Sequence, residues 1–327
     1  RLTMATPQKD IDERTNLTGS NMFELLLFHL GANDQTAQAE LFGINVFKVR
    51  EIVIIPEITA IAGAPAYSKG VVRLRDQVIP VFDLPAIVGC KPAKEPTLMI
   101  VTEYARSVQA FIVDSVEDIV RLEWSQVISA EASEVGESLV TSIAHLNDER
   151  MGSKLVQVLD VEEILQKISP VKAKHKDQLK VVQNQTQVAI KPGTIVLAAD
   201  DSGVARALMA QTLTTLGLPF EMMKSGQEAW NRLIALDQQA KAEGKTLYDK
   251  VCLMLSDLEM PEMDGFTLTR NIKNDPRFNQ LPVVIHSSLS GSTNAELVRR
   301  AGADGYVVKF ATDELAKALA EALQKAP

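Results

Sequence analysis

Four points in the second half of the chain bear side chains that could do chemistry together: Asp200-Asp201, Asp257, Ser287-Ser288 and Lys309. Three carboxylates gathered in one place repel one another and raise each other's pKa unless a cation lies among them. A hard divalent ion such as Mg²⁺ meets that need with oxygen ligands, and Lys309 supplies one more positive charge. Asp257 could then stay ionised and act as a nucleophile toward a phosphoryl group. The metal and Lys309 would neutralise the charge on the phosphoryl oxygens, Ser287 would donate a hydrogen bond, and the product would be an acyl phosphate on Asp257. Met singly, each of these residues would be read as a helix cap, a turn residue or a surface charge. Only a shared location makes them a site.

The elements around them predict that location. From residue 194 onward, continuous apolar strands ("TIVLAA", "FEMMKS", "VCLMLS", "LPVVIHS", "GYVVKF") alternate with helical stretches. The helices are "SGVARALMAQTLTTLG", Gln227 to about Ala242, "DGFTLTRNIKN", "STNAELVRRAG" and "TDELAKALAEALQK". Strands without alternation, each followed by a helix, indicate an α/β doubly wound domain with five parallel strands covered on both faces. Functional groups in such a sheet collect at the carboxyl ends of the strands. Asp200-Asp201 end the first strand, Asp257 the third, Ser287-Ser288 the fourth and Lys309 the fifth. The stretch "LDQQAKAEGKTLYDK" is long for a second helix and its loop, and reads as an insertion away from that crevice.

Residues 21–168 have a different texture. "FGINVFKVREIVIIP", "KGVVRLRDQVIPVFDL", "PTLMIVTEY", "VQAFIVDSVEDIVRL" and "KLVQVLDVEEIL" are Val- and Ile-rich β-type runs punctuated by Gly43, Gly70 and Pro80. They predict an all-β barrel or sandwich. Residues 1–20 read as a flexible leader and the Lys- and Gln-rich 169–193 as an exposed linker, leaving 194–327 as the second domain.

The bulk composition bounds the function. With 327 residues, 46% hydrophobic and 23% charged, the chain has room for two globular domains. A net charge of −8 argues against a nucleic-acid binder, which needs a basic face. Cys90 and Cys252 lack metal-ligand spacing and read as reduced thiols in a cytoplasmic protein. No apolar run approaches the roughly 18–20 residues of a membrane span. "MFELLLFHL" is short, contains Glu24 and has no cleavage-site pattern, so neither a secretion signal nor direct membrane insertion is expected. His29 and His145 show no metal or triad spacing, and the β domain holds no catalytic set.

The motifs "AADDSG", "SDLEMPEMDG", "LPVVIHSSLS" and "AGADGYVVKF" resemble the receiver domain of two-component response regulators. That resemblance implies Asp257 as phosphoacceptor and Asp200, Asp201 and Asp257 as Mg²⁺ ligands, with the backbone carbonyl of Glu259 completing the metal shell. It also implies Ser287 and Tyr306 as switch residues and Lys309 as the contact to the phosphoryl group. Phe310 stands where that family usually has Pro.

The run "LFGINVFKVREIVIIPEITAIAGAPAYSKGVVRLRDQVIPVFDLPAIVG", with the later strands, resembles a CheW-like coupling domain. Two small five-stranded barrels are implied, and a bridge between the cytoplasmic tips of chemoreceptors and a histidine kinase. Val49, Glu51 and Arg75 fall at positions implied in partner binding, with Asp76 where the family's "LRG" turn has Gly. A CheW-like domain followed by a receiver is the arrangement of the CheV family, which the whole chain resembles. The implied function is a chemotaxis adaptor, with no enzymatic turnover of its own, regulated by phosphorylation and associated with membrane-anchored receptor arrays. Two other readings stay open. An Asp-nucleophile phosphatase would want a second Asp two residues after the nucleophile, where this chain has Glu259. A β domain binding a different ligand, such as nucleic acid, would want an aromatic and basic stripe that is missing.

Overall fold

The computed structural model describes residues 22–33, 36–104, 107–129, 139–148, 152–168, 190–288, 292–309 and 311–326. The expected leader, nearly all of the expected linker and Phe310 lie outside them. The chain forms two compact units, one within Phe23–Lys172 and one within Ala173–Ser287 and Gly291–Pro327.

The first unit contains strands β1 (Met22–His29), β2 (Ala32–Asn33), β3 (Leu41–Asn45), β4 (Val49–Ile54), β5 (Ser68–Leu74) and β6 (Gln77–Asp83). After helix α1 (Leu84–Val88) come β7 (Cys90–Lys91), β8 (Leu98–Tyr104), β9 (Ser107–Val113), β10 (Ser115–Glu123), β11 (Val127–Ser129), β12 (Val140–Asp148), β13 (Gly152–Leu159) and helix α2 (Val161–Ile168). Two sheets result, of order β4-β8-β9-β6-β5 and β10-β1-β3-β13-β12-β11, with β2 and β7 as a small separate pair. The second sheet is one strand larger than the five expected, because the three-residue β11 pairs with β12 from Val127 to Ser129.

Alternation along the strands divides the core in three. Val72, Val81, Met99, Val101 and Ile112 fill the first sheet. Leu25, Leu27, Leu122, Ala144 and Val156 fill the second. Leu26, Phe28, Phe42, Ile100, Phe111 and Ile164 form the layer that both sheets share. Successive residues of β1 thus enter different cores. A strand buried on both faces reads as a continuous apolar run, which accounts for "MFELLLFHL". Its one acid, the buried Glu24, is paired with Arg121.

The end of "KLVQVLDVEEIL" differs from expectation. Its strand stops at Leu159 and "VEEIL" turns helical, because the Asp160 carboxylate accepts from the backbone N–H groups of Glu162 (2.9 Å) and Glu163 (3.1 Å). These are the donors that a helix start leaves without an intrahelical partner.

The second unit runs β14 (Ile195–Ala199), α3 (Gly203–Thr215), β15 (Phe220–Met223), α4 (Gly226–Ala242), β16 (Val251–Ser256), α5 (Gly265–Asn274), β17 (Val283–Ser287), α6 (Ser292–Arg300), β18 (Gly305–Val308) and α7 (Thr312–Leu323). All four strand pairings are parallel, in the order β15-β14-β16-β17-β18. Every residue of β16 is buried, as a strand covered on both faces requires. Ser202, Ser225 and Asp264 cap α3, α4 and α5 with side-chain oxygens, which fixes where each helix begins. The expected insertion lengthens α4 and continues into a short turn at Leu247–Asp249. There the Tyr248 hydroxyl donates to the Arg277 carbonyl at 3.1 Å, so the insertion packs on the segment following α5.

Candidate functional site

Strand order reverses at β14, which has β15 on one side and β16 on the other. The chain leaves β14 toward β15 on one side and β16 toward β17 on the other, and a crevice opens between the carboxyl ends of β14 and β16. Asp200 and Asp201 follow β14, and Asp257 follows β16. The Asp257 N–H donates to the Ala199 carbonyl at 2.8 Å, which holds the two strand ends side by side. One oxygen from each of the three carboxylates lies within 4.8 Å of the others.

Lys309, just past β18, reaches into this cluster. Its Nζ lies 2.9 Å from Asp200 Oδ2 and 3.2 Å from Asp257 Oδ2. A backbone hydrogen bond from Lys309 N to the Ser287 carbonyl, 2.8 Å, fixes the start of that reach. An ammonium buried this deeply is tolerable because two carboxylates face it. The carboxylates are also tied to backbone. Ser202 N donates to Asp200 Oδ1 at 2.9 Å, and Leu258 N to Asp257 Oδ1 at 2.7 Å.

The donor set fits a hard divalent cation. All three side chains offer carboxylate oxygen, and together they outweigh the single ammonium. Asp200 and Asp257 are buried while Asp201 is partly exposed, so the cluster is open on one side.

Ser287 ends β17 and is fully buried, as is its neighbour Ser288. Tyr306 lies on β18 and hydrogen-bonds Ser287 through its side chain. Burial raises the Tyr306 phenol to about 12, and the charges of Glu259 and Asp257 push the same way, against a lowering by the Ser287 bond. Glu259, two residues past the acceptor, is partly buried.

The loop after Asp257 is braced by close backbone packing. A Cβ at Gly265 would lie 2.1 Å from the Asp257 carbonyl oxygen, and one at Gly226 would lie 2.1 Å from the Met263 carbonyl oxygen. No other residue fits either place. Glu262 adopts a left-handed φ of 65° within this loop, and its carboxylate accepts from the Ser225 hydroxyl at 3.1 Å. The Met-Pro and Asp-Gly of "SDLEMPEMDG" thus frame a loop whose backbone presses directly on the acceptor.

Asp200, Asp201, Asp257, Ser287, Tyr306 and Lys309 therefore meet in one crevice. Sequence reasoning missed Arg206, whose Nη1 donates to the carbonyls of Asp200 (3.0 Å) and Asp201 (2.7 Å). It lies four residues past the Ser202 cap, where a first-turn side chain can reach back over the helix start.

In the first unit, Arg75 occupies the β5–β6 turn with a left-handed φ of 55°, and its Nη2 lies 2.9 Å from Glu51 Oε2 on β4. Arg50 donates to Gln77 at 3.3 Å beside them. These residues border a cavity of about 200 Å³ at the mouth of the first sheet. Val49 is on the same strand but packs against the core shared by the two sheets, apart from the Arg75–Glu51 pair.

Comparison with known proteins supplies the affiliation. The CheW-like domain family matches residues 24–169, and the response regulator receiver domain family matches residues 196–320. The chain is 29% identical over 316 residues to chemotaxis protein CheV2 of Helicobacter pylori, covering 92% of this chain and 95% of that protein. CheV3 of the same organism is 29% identical over 309 residues, with 92% and 95% covered. The receiver half is 30% identical over 123 residues to H. pylori chemotaxis protein CheY1, covering 37% of this chain and 90% of that one. The chain thus joins a CheW-like domain to a response regulator receiver domain, and over more than nine-tenths of its length it is similar to CheV chemotaxis proteins.

Proposed function

We propose that this chain is a phosphorylatable adaptor that couples chemoreceptor tips to a histidine kinase, with Asp257 as the phosphoacceptor. The observation that carries the reading is the buried contact of Lys309 with both Asp200 and Asp257 at the reversal of strand order. An ionised Asp257 oxygen attacks the phosphorus of a phosphohistidine on the kinase. The P–N bond breaks, the histidine nitrogen keeps the electron pair and takes up a proton, and an acyl phosphate remains on Asp257. Mg²⁺ held by Asp200, Asp201, Asp257 and the Glu259 carbonyl would supply charge neutralisation at the phosphoryl oxygens. Lys309 neutralises a further oxygen, and Ser287 donates a hydrogen bond to another.

That last contact makes the site a switch. Ser287 is bonded to Tyr306 in the structure. Turning its hydroxyl toward the phosphoryl group withdraws a partner from Tyr306, so phosphorylated and free states differ in what holds the ring on β18. A differential contact of this kind is what a phosphoryl group must offer to shift one population against another.

The contact for receptor and kinase lies at the Arg75–Glu51 pair, and Val49, packed against the core, serves it by anchoring β4. None of the helices among the described residues is long and apolar enough to cross a membrane. The chain is placed at the cytoplasmic face of receptor arrays through its partners. Co-sedimentation of the full chain with receptor-tip fragments and kinase tests this reading. The full chain is expected to join the complex, and Arg75→Ala to weaken it by about 10-fold or more, as loss of a central Arg contact does. Failure of the full chain to bind either partner would overturn the coupling assignment and leave the phosphoacceptor assignment standing.

A further inference from the structure

We propose that Arg206 is a positioning residue for the metal-binding acids, acting through the peptide that joins them. The inference rests on the reading of Asp200, Asp201 and Asp257 as Mg²⁺ ligands.

One nitrogen, Nη1, donates to two successive carbonyls, of Asp200 at 3.0 Å and Asp201 at 2.7 Å. A guanidinium η-nitrogen carries two hydrogens in a fixed plane, one for each acceptor, so both carbonyls are held to one side. With both carbonyls directed to the guanidinium, the orientation of the Asp200–Asp201 peptide is set, and with it the direction in which the Asp201 side chain leaves the backbone.

The two acids differ in burial. Asp200 is fully buried, contacts Lys309 at 2.9 Å and accepts from Ser202 N at 2.9 Å. Asp201 is partly exposed, so packing encloses it less. Arg206 grips the backbone that carries it into the carboxylate cluster.

Arg206 is itself well placed to act as a clamp. Its own N–H donates to the Ser202 carbonyl at 2.9 Å in the first turn of α3, and Ser202 caps that turn through Ala205 N. The clamp is thus anchored in the helix that starts directly after the acids. Its positive charge also stands one hydrogen bond from the peptide between two anionic side chains, which it stabilises without being a ligand. Groups that orient metal ligands from behind in this way change metal affinity by about 10–100-fold when removed.

The test is Mg²⁺ titration of the full chain by calorimetry, with thermal melting of each variant to verify folding. Arg206→Ala is expected to weaken Mg²⁺ binding by about 10-fold or more. Arg206→Lys, which keeps the charge and loses the planar fork, is expected to fall between the two and serves as the readout should the alanine variant not fold. A double-substitution cycle separates positioning from general support of the fold. In an Asp201→Asn background, Arg206→Ala is expected to change affinity by less than about 2-fold, because the residue it acts through is already disabled. Equal affinities for wild type and Arg206→Ala, or a full additive loss in the Asp201→Asn background, would overturn the inference. A wild-type chain that gives no Mg²⁺ isotherm at all would overturn the metal reading on which it rests.

Discussion

Lys309 Nζ stands 3.2 Å from Asp257 Oδ2 with both side chains all but sealed from solvent. The same ammonium serves Asp200, so one charge holds two buried acids. Lys309→Met keeps the bulk and removes the charge. Breaking a buried pair leaves an uncompensated carboxylate, which destabilises by about 3–5 kcal/mol. Urea unfolding of the full chain measures this, and a loss under about 1 kcal/mol would contradict a tight buried contact.

Gly265 bears on the acceptor directly, because an added Cβ would lie 2.1 Å from the Asp257 carbonyl oxygen. The obstacle is backbone, so the loop or α5 must shift. Gly265→Ala is expected to lower stability by about 1–3 kcal/mol, as overpacking does, and to slow phosphoryl uptake at Asp257. Stability and uptake both at wild-type level would show that the loop accommodates the methyl without moving the acceptor.

The Tyr306 phenol is held up to about 12, chiefly by burial. Tyr306 should therefore remain a neutral hydrogen-bonding group throughout the working pH range. Because the Ser287 bond lowers this value, Ser287→Ala is expected to raise it further. Carbon-13 NMR of labelled tyrosine, with Tyr306→Phe to assign the resonance, reads both. Titration near pH 10 would place the ring in solvent.

Burial, and then the neighbouring Glu162 charge, raise the Asp160 carboxyl above its ordinary 3.8. A raised carboxyl binds its proton more tightly in the folded state. The resulting stabilisation is complete below pH 3.8 and is lost as pH rises through the folded value. At neutral pH the ionised group is thus a liability, although its oxygen caps α2. Asn caps as well as Asp and carries no charge. Asp160→Asn should melt higher than wild type at pH 7, with a smaller difference near pH 3. A lower melting temperature at pH 7 would show that the charge contributes net stability there through Lys48, whose positive charge acts on Asp160 against the rise.

The receiver half was legible because its apolar runs alternate with helical stretches and those carrying Asp200, Asp257, Ser287 and Lys309 each stop at that polar group. Asp200, Asp257, Ser287 and Lys309 could be placed at strand ends before any geometry was known. β1 was less legible, since two-sided burial erased the alternation that marks a strand. The eight residues of α2 are no longer than a strand, and only the capping geometry of Asp160 distinguishes them. The three-residue β11 is too short to show a period. Arg206 and the Ser225–Glu262 contact left no signature, because one grips backbone carbonyls and the other joins loops that are 37 residues apart. Contacts of that kind depend on chain path rather than on residue pattern.

Transfer of the phosphoryl group to Asp257 tests the account most directly. The full chain is incubated with Mg²⁺ and a chemotaxis histidine kinase already phosphorylated on histidine, and intact mass is recorded. Wild type is expected to gain a single phosphoryl group that hydroxylamine removes, as an acyl phosphate requires, and Asp257→Asn to gain none. Phosphorylation of Asp257→Asn to the wild-type extent would contradict the assignment of Asp257 as the acceptor.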